Sequence, residues 1–198
     1  MTDNDWTELI RADVPEPLPP LPFDEEPVDW TAVFGQPDIH ETAWIAPSAD
    51  VFGRVKIGQR SSVWFQCVIR GDAQFIEVGD DSNIQDGSIL HIDGDAPCRI
   101  GNRVTLGHRA VVHASVVEDE ALIGMSATVL SRCVIGSKSI IAAGAVVLEG
   151  TVIPPGTIWA GCPAKQIGSV SVEHERRIAH TWQHYVNATA AAKIRWPA

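Results

Sequence analysis

The chain has 198 residues, 45% of them hydrophobic, and a formal net charge of −10 at pH 7. That is enough chain for one domain with a real core, and no cluster of lysine and arginine marks it for nucleic acid. The longest apolar run, Ile140 to Leu148, falls far short of the roughly 20 residues that span a bilayer, and no basic-then-apolar signal opens the chain. Four cysteines, Cys67, Cys98, Cys133 and Cys162, show no metal-binding or disulfide spacing, so they read as reduced thiols in a cytoplasmic protein.

The charge is unevenly placed. Residues 1–30 carry nine Asp or Glu against one Arg, which leaves the rest of the chain close to neutral. Pro15, Pro17, Pro19, Pro20 and Pro22 crowd the same stretch. Proline fixes φ and removes amide donors, so an extended or disordered extension over residues 1–36 is expected.

A short period begins at Ile45. Ile45, Val51, Ile57, Val63 and Ile69 are spaced by six. After a slip around Phe75 the spacing resumes at Val78, Ile84 and Leu90, and again at Ile100, Leu106 and Val112. A five-residue step then leads to Val117, and the series runs on through Ile123, Val129, Ile135, Ile141, Val147, Ile153 and Trp159. The residue four after each aliphatic is usually small, and Gly often follows the aliphatic directly. A sustained six-residue repeat of this kind predicts a parallel β-helix. Three short strands make a triangular coil of about 18 residues, with the aliphatic inside the prism and the small residue near a corner. About six coils are expected within a β-helix domain spanning 37–168, and a helix and tail over 169–198. An amphipathic helix could not keep period six for so long.

Three of the seven histidines fall between Leu90 and His113. His91 and His113 each follow an interior aliphatic by one residue, so the two should stack on one face. Their separation of 22 is one coil plus the inserted Asp93–Cys98 loop. His108 sits two after Leu106 and should look elsewhere. Neutral imidazole is the commonest metal ligand, and three histidines with an open position make a catalytic zinc arrangement. The simplest closure is a cyclic trimer in which His108 of one chain meets His91 and His113 of the next. The plain alternative is three separate, hydrogen-bonded histidines. Arg70 and Gln85 share the phase of His91 and His113, with Asp72, Asn83 and Asp86 close by in sequence. Gln85 can orient a metal-bound hydroxide and Arg70 can hold an anionic product. An Arg70–Asp72 or Arg70–Asp86 ion pair is the alternative, and both readings can hold.

In the tail, Ser171 is placed to cap a helix that carries Glu173 and Glu175 in its first turn. Ile178, Trp182, Tyr185, Val186 and Thr189 form its apolar stripe. His180 and His184 lie four apart on the same helix but lack the glutamate of a zinc-protease motif, and read as helix surface.

Val68-Ile69-Arg70-Gly71-Asp72, Asn83-Ile84-Gln85-Asp86-Gly87-Ser88-Ile89-Leu90-His91 and Gly107-His108-Arg109-Ala110-Val111-Val112-His113 together resemble the γ-class carbonic anhydrase family. The likeness covers about residues 37–190. It implies a mainly β fold, a left-handed parallel β-helix with a C-terminal α-helix. It also implies homotrimers with metal sites between subunits, holding Zn²⁺, or Fe²⁺ or Co²⁺ in some settings, on His91, His108 and His113. Arg70, Asp72, Gln85 and Asp86 match the family's supporting residues, and Tyr185 resembles a tyrosine of the C-terminal helix. One departure stands out. The best-studied branch carries a proton-shuttling glutamate where this chain has Ala73, and another in an acidic loop that is here the short Ile92–Pro97 segment. Asp93 or Asp95 is a candidate substitute.

The function expected from these residues is reversible hydration of carbon dioxide to bicarbonate by a zinc-bound hydroxide at subunit interfaces. The alternatives are hydrolysis of another small carbonyl or thioester at the same site, acyl transfer by a hexapeptide acyltransferase, and a non-catalytic trimeric assembly module.

Overall fold

The computed structural model describes residues 35–196. The acidic extension expected over residues 1–36 therefore lies, save its last two residues, outside the described residues. The rest is a parallel β-solenoid of about seven turns closed by one helix.

Three ladders of short strands make the walls. The first face stacks Asp38–Ile39, the end of Asp50–Ile57, the end of Val68–Val78, Cys98–Ile100, Val116–Val117, Val134–Ile135 and Val152–Ile153. The second stacks the starts of Asp50–Ile57 and Val68–Val78, then Ile89–His91, Val111–His113, Thr128–Val129 and Val146–Val147. The third stacks Trp44–Ile45, Ser62–Val63, Asn83–Ile84, Thr105–Leu106, Leu122–Ile123, Ile140–Ile141 and Thr157–Gly161. The coil starts one rung earlier than the repeat from Ile45 suggests, because Asp38–Ile39 already pairs with Lys56–Ile57. The slip around Phe75 is a register shift between Gly53 and Val55 against the long strand Val68–Val78.

The repeat aliphatics fill the prism. Val63, Ile69, Ile84, Leu90, Leu106, Val112, Ile123, Val129, Ile135 and Ile141 are each 0% exposed. The series loosens at its ends, where Ile45, Val51 and Trp159 are only partly buried against this core. The small residues four places on sit where the wall turns, and their hydroxyls are satisfied by the next coil. Ser61, Ser82 and Ser139 donate to the carbonyls of Gly79, Gly101 and Pro154 at 2.6, 2.8 and 2.8 Å. Among the described residues no buried side-chain nitrogen or oxygen lacks a partner, as a buried polar group requires.

A third position in each repeat carries meaning that its residue types hide. Three residues after the interior aliphatic, Arg60, Gln66, Asp81, Arg103, Arg109, Glu120, Ser126, Arg132 and Lys138 all have positive φ, and Gly144, Gly150 and Gly156 take over at the last turns. Most corners thus take one left-handed residue, a conformation that costs a side-chain-bearing residue roughly 1–2 kcal/mol.

The coil ends in an antiparallel pair, Thr157–Gly161 with Ala164–Ser169, which the repeat did not announce. The helix Val172–Arg195 follows, capped reciprocally by Ser171 and His174 and carrying Glu173 and Glu175 in its first turn. It crosses the third face over the rungs of Trp44–Ile45, Ser62–Val63, Asn83–Ile84 and Thr105–Leu106. Ile178, Thr189 and Ala192 are buried there, while Trp182, Tyr185 and Val186 are half-buried. An aromatic cluster fastens its C-terminal half. Trp64 meets Trp44 at 5.1 Å and Tyr185 at 5.2 Å, and Phe65 meets Trp196 at 5.1 Å, all edge-on. No described helix is long and apolar enough to cross a membrane.

Two glycines separate the two constraints on the wall. A Cβ on Gly124 would lie 2.5 Å from Ala143 N and 2.7 Å from Ala142 C, both backbone atoms of the next rung. A Cβ on Gly144 meets nothing within 4 Å, but its φ is +68°. Gly144→Ala should therefore cost about 1 kcal/mol. Gly124→Ala should cost at least twice that by forcing two rungs apart. Thermal midpoints of the two variants check this, and equal midpoints would refute the close-approach account.

Candidate metal centre

His91 and His113 end neighbouring strands of the second face and are in register. Being one residue past an interior aliphatic, each points outward. His91 Nδ1 and His113 Nε2 approach to 3.0 Å. Two imidazoles on one zinc, with Zn–N near 2.0–2.1 Å, need their nitrogens roughly 3.3 Å apart. The pair is therefore set for a shared ion with a shift of a few tenths of an ångström.

The remaining ring nitrogens are occupied, as ligand histidines require. His91 Nε2 faces Asp72 Oδ1 at 3.3 Å, and His113 Nδ1 faces Ser131 Oγ at 2.9 Å. Asp72 also holds Arg70 Nη1 by its other oxygen, so the first of the alternative ion pairs is formed. Arg70 lies in the same column, one rung before His91. Burial opposes ionisation of Asp72, but the charges of Arg70 and His91 outweigh it and hold the carboxyl below its ordinary range. Burial and then the Arg70 charge push the His91 imidazole down from its ordinary value, with Asp72 opposing. A depressed imidazole is a neutral one at physiological pH, the form that binds metal.

His108 is elsewhere. It sits in the turn after Thr105–Leu106, where the chain enters the second face, whereas His113 sits where that face ends. His108 Nδ1 is 2.9 Å from Asp86 Oδ2, so Asp86 is taken by His108 and not by Arg70. Gln85 lies beside Asp86 on the third-face side, buried, donating from Nε2 to Asn83 Oδ1 at 3.0 Å. Asn83 in turn donates to Thr105 Oγ1 at 3.0 Å. The shared repeat phase of Gln85 and His91 thus places them on different faces of one chain, because every face repeats the same phase. Burial, and then the nearby charge of Asp86, raises the Tyr185 phenol above its ordinary range.

The eight residues singled out in the sequence therefore form two groups. Arg70, Asp72, His91 and His113 stand together, and Gln85, Asp86, His108 and Tyr185 stand together at another corner. Among the described residues of one chain, no group of three or more His, Cys, Asp or Glu is placed to hold a metal ion. Two convergent imidazoles fit a metal as two-thirds of a site. Sequence reading missed Ser131, although it lies 18 residues, one coil, beyond His113. His180 and His184 are exposed on the helix with ring centroids 6.4 Å apart.

The bacterial transferase hexapeptide (six repeats) family matches residues 114–149, which is coil alone. A carbonic anhydrase of Geobacillus kaustophilus is 45% identical over 150 residues, covering 76% of this chain and 82% of that protein. The mitochondrial γ carbonic anhydrase 3 of Arabidopsis thaliana is 47% identical over 161 residues, 78% of this chain and 62% of that protein. The chain spans about three-fifths of the length of the plant relatives it matches. Among solved structures, a hexapeptide transferase family protein from Anaplasma phagocytophilum is 34% identical with a TM-score of 0.76, covering 78% of this chain and 92% of that one. An N-acyltransferase from Bacillus cereus shares the fold alone, at 16% identity and a TM-score of 0.58. Several relatives above 40% identity are γ carbonic anhydrases, and the chain covers 82% of the Geobacillus carbonic anhydrase: this chain belongs to the γ-class carbonic anhydrase family.

Proposed function

We propose that this protein hydrates carbon dioxide reversibly to bicarbonate at a metal centre completed between copies of the chain in a homotrimer. The observation that carries the reading is the convergence of His91 Nδ1 and His113 Nε2 at 3.0 Å while His108 faces another corner. Each chain then offers two ligands at one place and one ligand at another. A rotational assembly can bring the two together, and a ring of three closes it.

Zn²⁺, or Fe²⁺ or Co²⁺, bound there would bring the pKa of its water to roughly 7 and so supply hydroxide at neutral pH. The chain's own residues do the rest. Asp86 takes the proton-bearing Nδ1 of His108 and leaves Nε2 as the donor atom. Asp72 takes Nε2 of His91 and leaves Nδ1, and Ser131 takes Nδ1 of His113 and leaves Nε2. Gln85 spends its amide nitrogen on Asn83, so its Oε1 is the acceptor that orients a water or hydroxide. Arg70, anchored by Asp72, presents the remaining guanidinium donors to a bicarbonate oxygen. Tyr185, kept protonated, adds a hydroxyl beside Asp86. The substrate is small and uncharged, and no basic surface for nucleic acid is needed. The cysteines are free, which suits a reducing compartment such as the cytoplasm.

Mixed assembly tests the shared site. His108→Ala and His91→Ala chains should each lose bound metal, because a two-histidine site is incomplete. Trimers reassembled from both chains should regain part of it, since one chain still offers an intact pair and the other an intact His108. Failure to recover metal in trimers shown to be mixed would defeat the interface reading.

Proton export tests the reaction. Ala73 offers no titratable group at the usual shuttle place. Hydration by the metal-loaded protein should therefore rise with imidazole buffer concentration, and Ala73→Glu should raise the rate at low buffer. Absence of any hydration at saturating buffer, with metal bound, would point instead to another small carbonyl substrate or to acyl transfer.

A further inference from the structure

One cation stands among three carboxylates beside the histidine pair. Arg132 Nη1 lies 3.3 Å from Asp93 Oδ2 and 2.6 Å from Glu149 Oε1, and its Nη2 lies 2.8 Å from Asp95 Oδ1. Asp93 and Asp95 belong to the inserted loop that follows His91, and Glu149 to the wall one coil further on. The other oxygen of Asp93, Oδ1, faces His113 Nδ1 at 3.7 Å. That same nitrogen contacts Ser131 Oγ at 2.9 Å, and Ser131 is the residue before Arg132. A single carboxylate thus links the guanidinium to a member of the pair.

The backbone at this corner also admits a glycine. Arg132 has φ 60°, and one coil on the same corner is Gly150 with φ 72°. Glycine would fill the Arg132 corner without strain. Eight other corners of the same phase also carry a side chain in this conformation, so the case for Arg132 rests on its contacts alone.

We infer that Arg132 is a positioning residue of the metal centre. It holds the inserted loop so that Asp93, together with the Ser131 hydroxyl, keeps the Nδ1 proton on His113 and turns Nε2 toward His91. Outer partners of ligand histidines set tautomer and ring orientation, and their loss typically weakens metal binding about 10–100-fold. The inference rests on the proposed role of His91 and His113 as ligands.

Zinc affinity of the full chain, measured by competition with a chromophoric chelator, tests it. Arg132→Gly suits the corner's φ and should fold as the wild type does, which circular dichroism melting of the metal-free protein verifies. Its zinc affinity should fall about tenfold. Asp93→Asn should bring a similar loss, and the double variant should be no weaker than the weaker single one, because the two residues act through one contact. Arg132→Lys should recover part of the affinity. With Co²⁺ in the site, the visible d–d spectrum of Arg132→Gly should shift, which a loss of loop stability alone would not produce. Wild-type affinity in Arg132→Gly, or losses that add in full in the double variant, overturn the inference while leaving the histidine pair standing. Zinc affinity that is unchanged in His91→Ala overturns the pair and this inference together.

Discussion

Everything in this protein hangs on the backbone ladder between successive coils. Parallel strands two or three residues long could not persist alone. They persist here because each rung donates to the one after it, from His40 N on Ile57 O to Ala142 N on Trp159 O at 2.8 Å. The ladder fixes the rise per coil at the strand spacing of about 4.8 Å. At that spacing nothing but an aliphatic pile fits inside the prism, and the walls come so close that Gly107 and Gly124 can carry no side chain. Packing and hydrogen bonding are one constraint seen from two sides.

The same ladder makes the site. Side chains one rung apart on the outer surface are held near strand spacing, so a column such as Phe52, Arg70 and His91, then His113, is a ready row of functional groups. Two imidazoles reach 3.0 Å without any loop having to fold around them. The geometry also has a limit. A convex prism points its faces away from each other, so residues on different faces cannot converge within one chain. His108 and Gln85 are excluded from the pair by that convexity, which is why the proposed site draws its third ligand from a neighbouring copy.

Charge is used locally and sparingly. Asp72 serves both Arg70 and His91 with its two oxygens, and Asp93 divides its own between Arg132 and His113. The thiols, by contrast, are packing groups. Burial pushes Cys67 up to about 11 and Cys98 up to about 12, and raises Cys133 as well. All three are inert at physiological pH.

The sequence by itself determined the coil. Ile57, Val63 and Ile69 must be interior because a six-residue period admits no other burial, and Gly101 or Gly124 after the aliphatic marks the close wall. It also determined that His91 and His113 share a column, since their phases match once the loop is subtracted, and that Ser171 caps the helix. The early rung at Asp38–Ile39 and the antiparallel end were not legible, because two-residue strands and single hairpins carry no period of their own. The left-handed corners were hidden as well. Arg, Gln, Asp, Glu, Ser and Lys fill more of them than Gly does, since each is held by its rungs rather than by its own preference. Only the tertiary structure decided which face each phase belongs to. Phase repeats three times per coil, so Gln85 and His91 look alike in sequence and lie apart in space. It also decided which polar groups meet across coils, Asp86 with His108 and Arg132 with Asp93. Those contacts depend on side-chain direction at corners and on where a four-residue excess of chain comes to rest, and neither is written in a hydrophobic period.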